Sequence, residues 1–306
     1  MNKLGIIGSG AVGFAVGYTA ARLGLVSDIA FADKKEGLAQ AQAMDIEDAL
    51  AYYPHPLRLS ARTIPEMADR DILVLATGDL EGVHDRLEEW EKFKDPTAAY
   101  VREVVEAGFQ GIFIVVSNPC DLMAQLVHEV SGFPKERVIG AGTALDTARL
   151  NTTLARIFDT DPKNVKGVVL GEHGESQFVV WSNVRISGIA LEEYLQQTGD
   201  AFSREEVEQK VRERAWRVID GKKHTQCGIG STVCNMIDAI VNDCRESILV
   251  ATLLEGEYGI RDVFLSTPCV LGRQGIEKVL ELALNETEQS SLEESARRLQ
   301  EKFQNR

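Results

Sequence analysis

Several residues in this chain have the types and spacing to do chemistry together. His173 sits in 170-LGEHGES-176, directly after the β-branched run 165-VKGVVL-170. An imidazole titrates near neutrality, where general acid–base work is most efficient. Taken alone, it is as well explained as an ordinary half-buried histidine. Asp146 and Arg149 lie three apart in 143-TALDTARL-150, which puts both on one face of a predicted helix. An ion pair on a solvated helix is the commoner role of such residues. Here the small and apolar neighbours turn the helix inward, where an acid and a guanidinium need partners.

A second constellation is the glycine loop 5-GIIGSGAVG-13, with Gly8, Gly10 and Gly13 in a G-x-G-x-x-G pattern between a predicted strand and a predicted helix. Gly8 permits a tight turn, Gly10 lets the backbone approach a pyrophosphate, and Gly13 lets helix and strand pack closely. Amides at the helix start then face the phosphates. Asp33 follows Gly13 by twenty residues, at the end of the next predicted strand. An acid there accepts hydrogen bonds from ribose hydroxyls and repels a 2′-phosphate, so loop and acid together favour NAD over NADP.

The elements that position these residues follow from hydrophobic patterning. Short apolar runs, 4-LGIIG-8, 29-IAFAD-33, 72-ILVLA-76, 112-IFIVV-116 and 138-VIGAG-142, alternate with helical patterns. This predicts a parallel sheet covered by helices on both faces. The second half reads as α+β: a helix over 144–158, strands at 165–170, 177–181 and 184–187, helices over 203–219 and 227–243, and apolar runs 247–254 and 263–271. A charged helix over 288–304 closes the chain, with Ser291 and Glu294 as a capping box. The fold class expected is α/β: a Rossmann-type doubly wound parallel sheet over 1–142 followed by an α+β substrate domain over 143–306.

Composition excludes other classes. The 306 residues are 44% hydrophobic and 26% charged, the balance of a folded water-soluble protein. A formal net charge of −14 opposes a general affinity for nucleic acid or anionic membranes. The start, 1-MNKLGIIGSG-10, runs straight into a strand and lacks the apolar region of a signal peptide. Cys120, Cys227, Cys234, Cys244 and Cys269 are scattered, with no CxxC pair. Free, mostly buried thiols in a cytoplasmic protein are the expectation, and no metal site is expected.

In order and spacing, GSGAVG, 117-SNPCD-121, GTALDTARL, GEHGES and 222-KKHTQCGIG-230 resemble the lactate/malate dehydrogenase superfamily over essentially the whole chain. The stretches 108-GFQGIFIVVSNPCDL-122 and 132-GFPKERVIGAGTALDTARL-150 look most like L-2-hydroxyisocaproate and L-lactate dehydrogenases. The resemblance implies an NAD-dependent L-2-hydroxyacid dehydrogenase. His173 matches the proton donor and acceptor, Asp146 the acid that orients it, and Arg149 the arginine that grips the substrate carboxylate. Arg86, in 84-HDRLEEW-90, matches the mobile-loop arginine that polarises the reacting carbonyl. Asn118 matches the asparagine bonded to the substrate oxygen, and Thr225 a threonine beside the substrate. Implied cofactor contacts are Gly8, Gly10, Ala11, Val12, Gly13, Asp33, Thr77, Gly78, Ser117, Asn118 and Ile229. The resemblance also implies a homo-oligomer, a tetramer in preference to a dimer.

Departures from the family pattern narrow the substrate. The stretch 78–88 matches a closing lid, and 87–95 reads as a solvated helix. Malate dehydrogenases carry a second arginine before the polarising one; here Leu80, Glu81, Gly82, Val83, His84 and Asp85 stand before Arg86. Two of these are acids, which repel a second substrate carboxylate and disfavour malate and oxaloacetate. The glutamine that lactate dehydrogenases place there is also missing, so a neutral side chain from methyl to branched alkyl is expected. Asn151 and Lys166 occupy the positions of the arginine and histidine that bind fructose 1,6-bisphosphate in activated bacterial lactate dehydrogenases, which implies no such activation. Rival readings are malate dehydrogenase, a non-catalytic NAD-binding protein, and an NAD- and metal-dependent glycosidase. The last needs a cysteine–histidine metal pair that no motif supplies.

Overall fold

The first half builds one element per apolar run. The strands β1 (Lys3–Ile7), β2 (Asp28–Ala32), β3 (Arg58–Ala61), β4 (Ile72–Leu75), β5 (Ile112–Val115) and β6 (Val138–Gly140) are joined by the helices α1 (Ala11–Leu23), α2 (Leu38–Asp48), α3 (Arg86–Glu106) and α4 (Cys120–Ser131). The computed structural model describes residues 2–78 and 86–304, with the backbone alone at 86–88. All six strands are parallel, in the order β3-β2-β1-β4-β5-β6. β1, β4 and β5 carry near-continuous buried side chains, as a sheet covered on both faces requires. β3 is a partly exposed edge with little apolar character, and patterning does not mark it.

The second half contains α5 (Ala144–Ile157), the short strands β7 (Val165–Lys166), β8 (Val169–Leu170), β9 (Phe178–Val179), β10 (Arg185–Ile186) and β11 (Ile189–Ala190), then the helices α6 (Leu191–Thr198), α7 (Arg204–Lys222) and α8 (Cys227–Val241). β12 (Glu246–Glu255), β13 (Arg261–Gly272) and β14 (Gly275–Val279) precede α9 (Glu286–Gln304). β12 pairs antiparallel with β6 at Ala251–Gly140, and β13 and β14 follow, so the main sheet has nine strands and crosses residue 142. The remaining strands form a three-stranded sheet, β11-β10-β7, and a hairpin, β8-β9.

Helices cover both faces. α3, α4 and α9 pack over one buried cluster that includes Phe93, Phe109, Phe113, Met123 and Leu299. α1, α2 and α8 pack over another that includes Val16, Ile46, Met236 and Ile237. A third cluster lies between α5, α7 and the small sheets. α8 crosses from the second half onto α1, where a Cβ on Gly230 would lie 3.0 Å from Ala15 Cβ. That close approach sets Ile229 beside the glycine loop. Among the described residues, no helix is long and apolar enough to cross a membrane.

Three expectations differ from what is observed. The last helix starts at Glu286, and its capping box is Asn285 with Glu288: Glu288 N–H donates to Asn285 Oδ1 at 3.0 Å, and Asn285 N–H donates to Glu288 Oε2 at 3.1 Å. Ser291 lies inside the helix and bonds the Thr287 carbonyl. The segment 87–95 is not simply solvated, because Glu89, Trp90 and Phe93 are buried; the charged pattern hid an inward stripe at i, i+1 and i+4. The strand expected at 165–170 divides into β7 and β8, which join different sheets, and those expected at 177–181 and 184–187 shrink to two residues each.

The turn that opens α1 is a steric constraint. Gly8 has φ +98°. A Cβ on Gly13 would lie 1.9 Å from the Gly8 carbonyl oxygen, so only glycine lets α1 start this close to β1. Gly13→Ala is expected to lower unfolding free energy by about 1–3 kcal/mol, the cost of overpacking a tight contact. Urea denaturation checks this, and an unchanged midpoint would show that the loop relaxes freely.

Candidate active site

The candidate residues gather where the parallel strands end. Gly8 follows β1, Asp33 follows β2, Thr77 follows β4, Ser117 and Asn118 follow β5, and Asp146 lies in the first turn of the helix after β6. This is the carboxyl edge of the sheet, where open α/β folds bind ligands at the reversal of strand order. A cleft of about 640 Å³ opens there, lined by Gly8, Gly10, Asp33, Thr77 and Gly78 among others. A Cβ on Gly10 would meet nothing within 4 Å, so the helix start faces open space that a phosphate can occupy. Ser9 N–H donates to Asp33 Oδ2 at 2.6 Å and Lys35 N–H to Oδ1 at 2.8 Å, which fixes the carboxylate against the glycine loop. Thr77 Oγ1 lies 2.8 Å from Ser117 Oγ and 3.0 Å from Thr97 Oγ1, tying the ends of β4 and β5 to α3. Lys34, Lys35, Arg62 and Lys92 also line the cleft, giving a locally basic wall that motif spacing did not reveal. These features fit a dinucleotide.

A second, smaller cavity of about 80 Å³ is lined by Val12, Asn118, Arg149, His173, Thr225 and Ile229, with an apolar wall that includes Leu145, Trp216 and Ile219. Residues from five separate stretches of chain therefore meet around one space. Asp146 stands behind it. Its Oδ2 lies 2.6 Å from His173 Nδ1, and its Oδ1 accepts from Arg149 Nη1 at 2.8 Å. Asp146 is 1% exposed. Burial alone would raise its carboxyl, but His173 and Arg149 outweigh burial and hold it below the usual range. An ionised carboxylate only accepts, so Nδ1 carries the proton and Nε2 is the nitrogen left to the cavity. Arg149 makes this one side-chain hydrogen bond among the described residues, leaving the rest of its fork to a ligand.

Side-chain bonds to backbone bring the imidazole to the acid. On α5 and its start, Thr143 Oγ1 donates to the Val169 carbonyl at 2.6 Å, Thr147 Oγ1 accepts from Val169 N–H at 3.1 Å, and Asn151 Oδ1 accepts from Gly167 N–H at 2.8 Å. Three residues at helical spacing thus hold the segment that leads to His173. The residue before His173 is held as well. Glu172 N–H donates to Ser295 Oγ at 2.8 Å, and Lys302 Nζ meets Glu172 Oε1 at 3.0 Å, both from α9. His173 N–H donates to Asp121 Oδ2 at 2.8 Å. Asp121, Glu172, Ser295 and Lys302 were not singled out from sequence. Their contacts join positions 52 to 130 residues apart, and no local pattern announces such a contact.

Ala11 and Gly13 lie in the first turn of α1, behind the cleft opening. Arg86 is the first residue of α3. Its side chain and the lid residues 79–85 lie outside the described residues. Of the cysteines, Cys120, Cys234 and Cys269 are buried, while Cys227 and Cys244 are exposed, contrary to the expectation of burial for Cys227. Cys120 lines the smaller cavity. Among the described residues no group of three His, Cys, Asp or Glu side chains could hold a metal.

Fold and cleft together define a class, a dinucleotide-binding α/β protein. Residues 2–140 match the family model of the lactate/malate dehydrogenase NAD-binding domain, and residues 143–306 that of the lactate/malate dehydrogenase alpha/beta C-terminal domain. The chain is 34% identical over 306 residues to an L-lactate dehydrogenase of Treponema denticola, covering 98% of this chain and 97% of that one. It is 35% identical over 300 residues to an L-lactate dehydrogenase of Bacillus velezensis, covering 97% and 94%. The crystal structure of a lactate dehydrogenase from a Medee basin deep-sea metagenome library superposes with a TM-score of 0.95 at 30% identity, over 99% of this chain and 98% of that one. The minor L-lactate dehydrogenase from Enterococcus mundtii, in its ligand-bound form, matches with the same TM-score, identity and coverage. The chain belongs to the lactate/malate dehydrogenase family. It is an NAD-dependent oxidoreductase acting on the CH–OH group of 2-hydroxy acids.

The Glu172–Lys302 pair gives a pH-dependent test of this architecture. Burial raises the Glu172 carboxyl, but Lys302 and the Ser176 hydroxyl outweigh it and hold it below its ordinary value. A depressed carboxyl contributes stability above its unfolded value and loses it as pH falls through the folded one. Lys302→Met strands a buried carboxylate and is expected to cost about 2 kcal/mol at pH 8. The deficit shrinks below about pH 4.5, where the unfolded carboxyl protonates. Chemical denaturation at the two pH values reads it, and a deficit independent of pH would assign the loss to packing.

Proposed function

We propose that the chain interconverts L-lactate and pyruvate, or a close homologue with a neutral side chain, with residues 1–142 holding the cofactor and 143–306 the acid. The observation that carries this reading is the single cavity shared by His173, Arg149, Asn118 and Thr225, with Asp146 bonded behind both His173 and Arg149. Arg149 takes the substrate carboxylate through two parallel hydrogen bonds, which fixes orientation as well as charge. Asp146 holds the Nδ1 proton, so His173 Nε2–H gives its proton to the 2-oxo oxygen in reduction and takes it back in oxidation. Asn118 hydrogen-bonds that oxygen, and Arg86, from the lid, stabilises the charge that develops on it. NAD, when bound, supplies or accepts the hydride. Gly8, Gly10, Ala11, Val12 and Gly13 hold its pyrophosphate, Asp33 its ribose, Thr77, Gly78, Ser117 and Asn118 the middle of the molecule, and Ile229 its nicotinamide ring.

The small volume and the apolar wall of Leu145, Trp216 and Ile219 support a short neutral substituent over a second carboxylate. Malate is opposed by the acids that precede Arg86. The chain acts in the cytoplasm as a homo-oligomer, a tetramer in preference to a dimer. The exposed apolar side chains Tyr18, Met44 and Tyr52 support association.

A panel of 2-oxo acids with NADH, followed at the nicotinamide absorbance, tests the substrate. Pyruvate and short branched homologues are expected to turn over at least about tenfold faster than oxaloacetate, the size of one uncompensated charge. Comparable rates overturn the neutral-side-chain reading. His173→Asn should cost about 10²–10⁴ in kcat and leave NADH binding intact, the range for loss of a positioned acid–base. Asp33→Asn should narrow the preference for NADH over NADPH by about tenfold, since it removes the charge that opposes a 2′-phosphate. An unchanged ratio would place the ribose contact elsewhere.

A further inference from the structure

The outer end of the larger cleft carries more positive charge than NAD requires. The chain as a whole has 47 acids to 33 lysines and arginines. Among the described residues that line the cleft the balance reverses, with Lys34, Lys35, Arg62 and Lys92 against Asp33 and Glu103. Sheet order says where these cations stand. The smaller cavity, with Asn118, Ala141 and His173, lies at the ends of β5 and β6, and the glycine loop follows β1. Lys34 and Lys35 come after β2 and Arg62 directly after β3, in a sheet ordered β3-β2-β1-β4-β5-β6. They stand one and two strands outward from the glycine loop, about 5 and 10 Å at the usual strand spacing. A dinucleotide with its nicotinamide at the cavity and its pyrophosphate on the loop puts its adenosine there. Both phosphates of NAD are then already placed, and its adenosine is uncharged.

We infer that the cleft holds a third phosphate site, formed by Lys34, Lys35 and Arg62 for the 2′-phosphate of NADPH, so that the chain uses NADPH beside its preferred NADH. This inference rests on the proposed seat of the adenosine ribose at Asp33. That acid weakens the binding of a 2′-phosphate without forbidding it. Each of its oxygens already accepts a main-chain N–H, from Ser9 at 2.6 Å and from Lys35 at 2.8 Å, which holds the carboxylate against the glycine loop. One anchored negative charge then faces three cations around the same ribose.

Each cation is available for a different reason. Lys35 Nζ has no partner among the described residues. Lys34 Nζ stands over the ring of Phe93, which also lines the cleft, 5.9 Å from its centre, and makes no ion pair among the described residues. Arg62 is braced along one edge. Its Nε meets Ser60 Oγ at 3.4 Å, and its Nη1 donates to the Glu66 carbonyl and to Asp69 Oδ1, both at 3.1 Å. Nη2 has no partner among the described residues. Asp69 does not cancel this charge, because Arg70 and Lys3 share the same carboxylate at 2.8 and 2.9 Å. A fixed guanidinium with donors to spare, beside two unpaired ammonium groups, suits a phosphate.

The experiment compares the two adenosine halves, adenosine 5′-monophosphate and adenosine 2′,5′-bisphosphate, by isothermal titration calorimetry on the full-length protein. The wild type is expected to bind the bisphosphate within about threefold of the monophosphate, and to reduce pyruvate with NADPH at a kcat/KM within about a hundredfold of that with NADH. Lys34 and Lys35 are exposed, so replacing them leaves the core intact. Lys34→Gln combined with Lys35→Gln should weaken the bisphosphate about tenfold relative to the monophosphate, at about threefold for each exposed charge pair. Asp33→Asn should move the same ratio the other way. A wild type that binds the bisphosphate about a hundredfold more weakly than the monophosphate overturns the inference. So does a double lysine variant in which both nucleotides weaken equally. Failure of either nucleotide to bind refutes the placement of the cofactor in this cleft, whereas a bound monophosphate with a rejected bisphosphate refutes the 2′-phosphate site alone.

Discussion

The structure around the site depends on one buried carboxylate shared between an imidazole and a guanidinium. Asp146 is almost wholly buried and could not stay ionised unaided. His173 on one oxygen and Arg149 on the other supply the compensation. In return the acid fixes which imidazole nitrogen carries a proton toward it and which way the guanidinium fork opens. Three groups are thereby oriented by two hydrogen bonds, so a displacement of α5 relative to the 171–176 loop would disturb all three. The surrounding structure is arranged against that displacement. Thr143, Thr147 and Asn151 bind the segment that leads into the loop, and Ser295 and Lys302 of α9 bind Glu172 within it.

That arrangement explains why the longest strands of the second half, β12 and β13, extend the sheet of the first half. β12 pairs with β6, and Thr143 N–H donates to Ser266 Oγ on β13 at 3.0 Å. The strand carrying the start of α5 is therefore locked to both halves. α8 reaches back onto α1 in the same way, held at backbone distance by Gly230. The cofactor loop and the imidazole, 160 or more residues apart in sequence, are referred to one continuous sheet, and rigid strands position a site better than loops do.

What could be read from the sequence divides along physical lines. The five apolar parallel strands declare themselves because a sheet covered on both faces demands unbroken apolar runs. The glycine loop declares itself because a tight turn and a close helix–strand approach need glycine at fixed offsets, and Asp33 because it directly follows the next apolar strand, where it accepts the Ser9 N–H. Asp146 and Arg149 are three apart, so a helix alone predicts that they share a face. The missed contacts have no such local signature. Asp121 meets His173 across 52 residues, and Lys302 meets Glu172 across 130. Each is an ordinary charged residue in its own window. β3 was missed because an exposed edge needs no apolar run, and the cap of α9 was misplaced because two acid-rich frames of the same helix both resemble a capping box.

The distribution of charge bears on how an acidic chain handles anions. The net charge is −14, yet the cleft wall carries Lys34, Lys35, Arg62 and Lys92, and the smaller cavity carries Arg149. Between these basic ends the lining is apolar: Val12, Val116 and Ile229. On the proposed reading, a ligand with phosphates toward one end and a carboxylate at the other meets complementary charge at both, with low-polarity surface where the hydride moves. Excess acid elsewhere on the surface does not cancel this, because solvent and salt screen exposed charges beyond about 10 Å while charges within a cleft are screened much less. Overall acidity and selective anion binding are therefore compatible, and the selectivity resides in where the few cations stand.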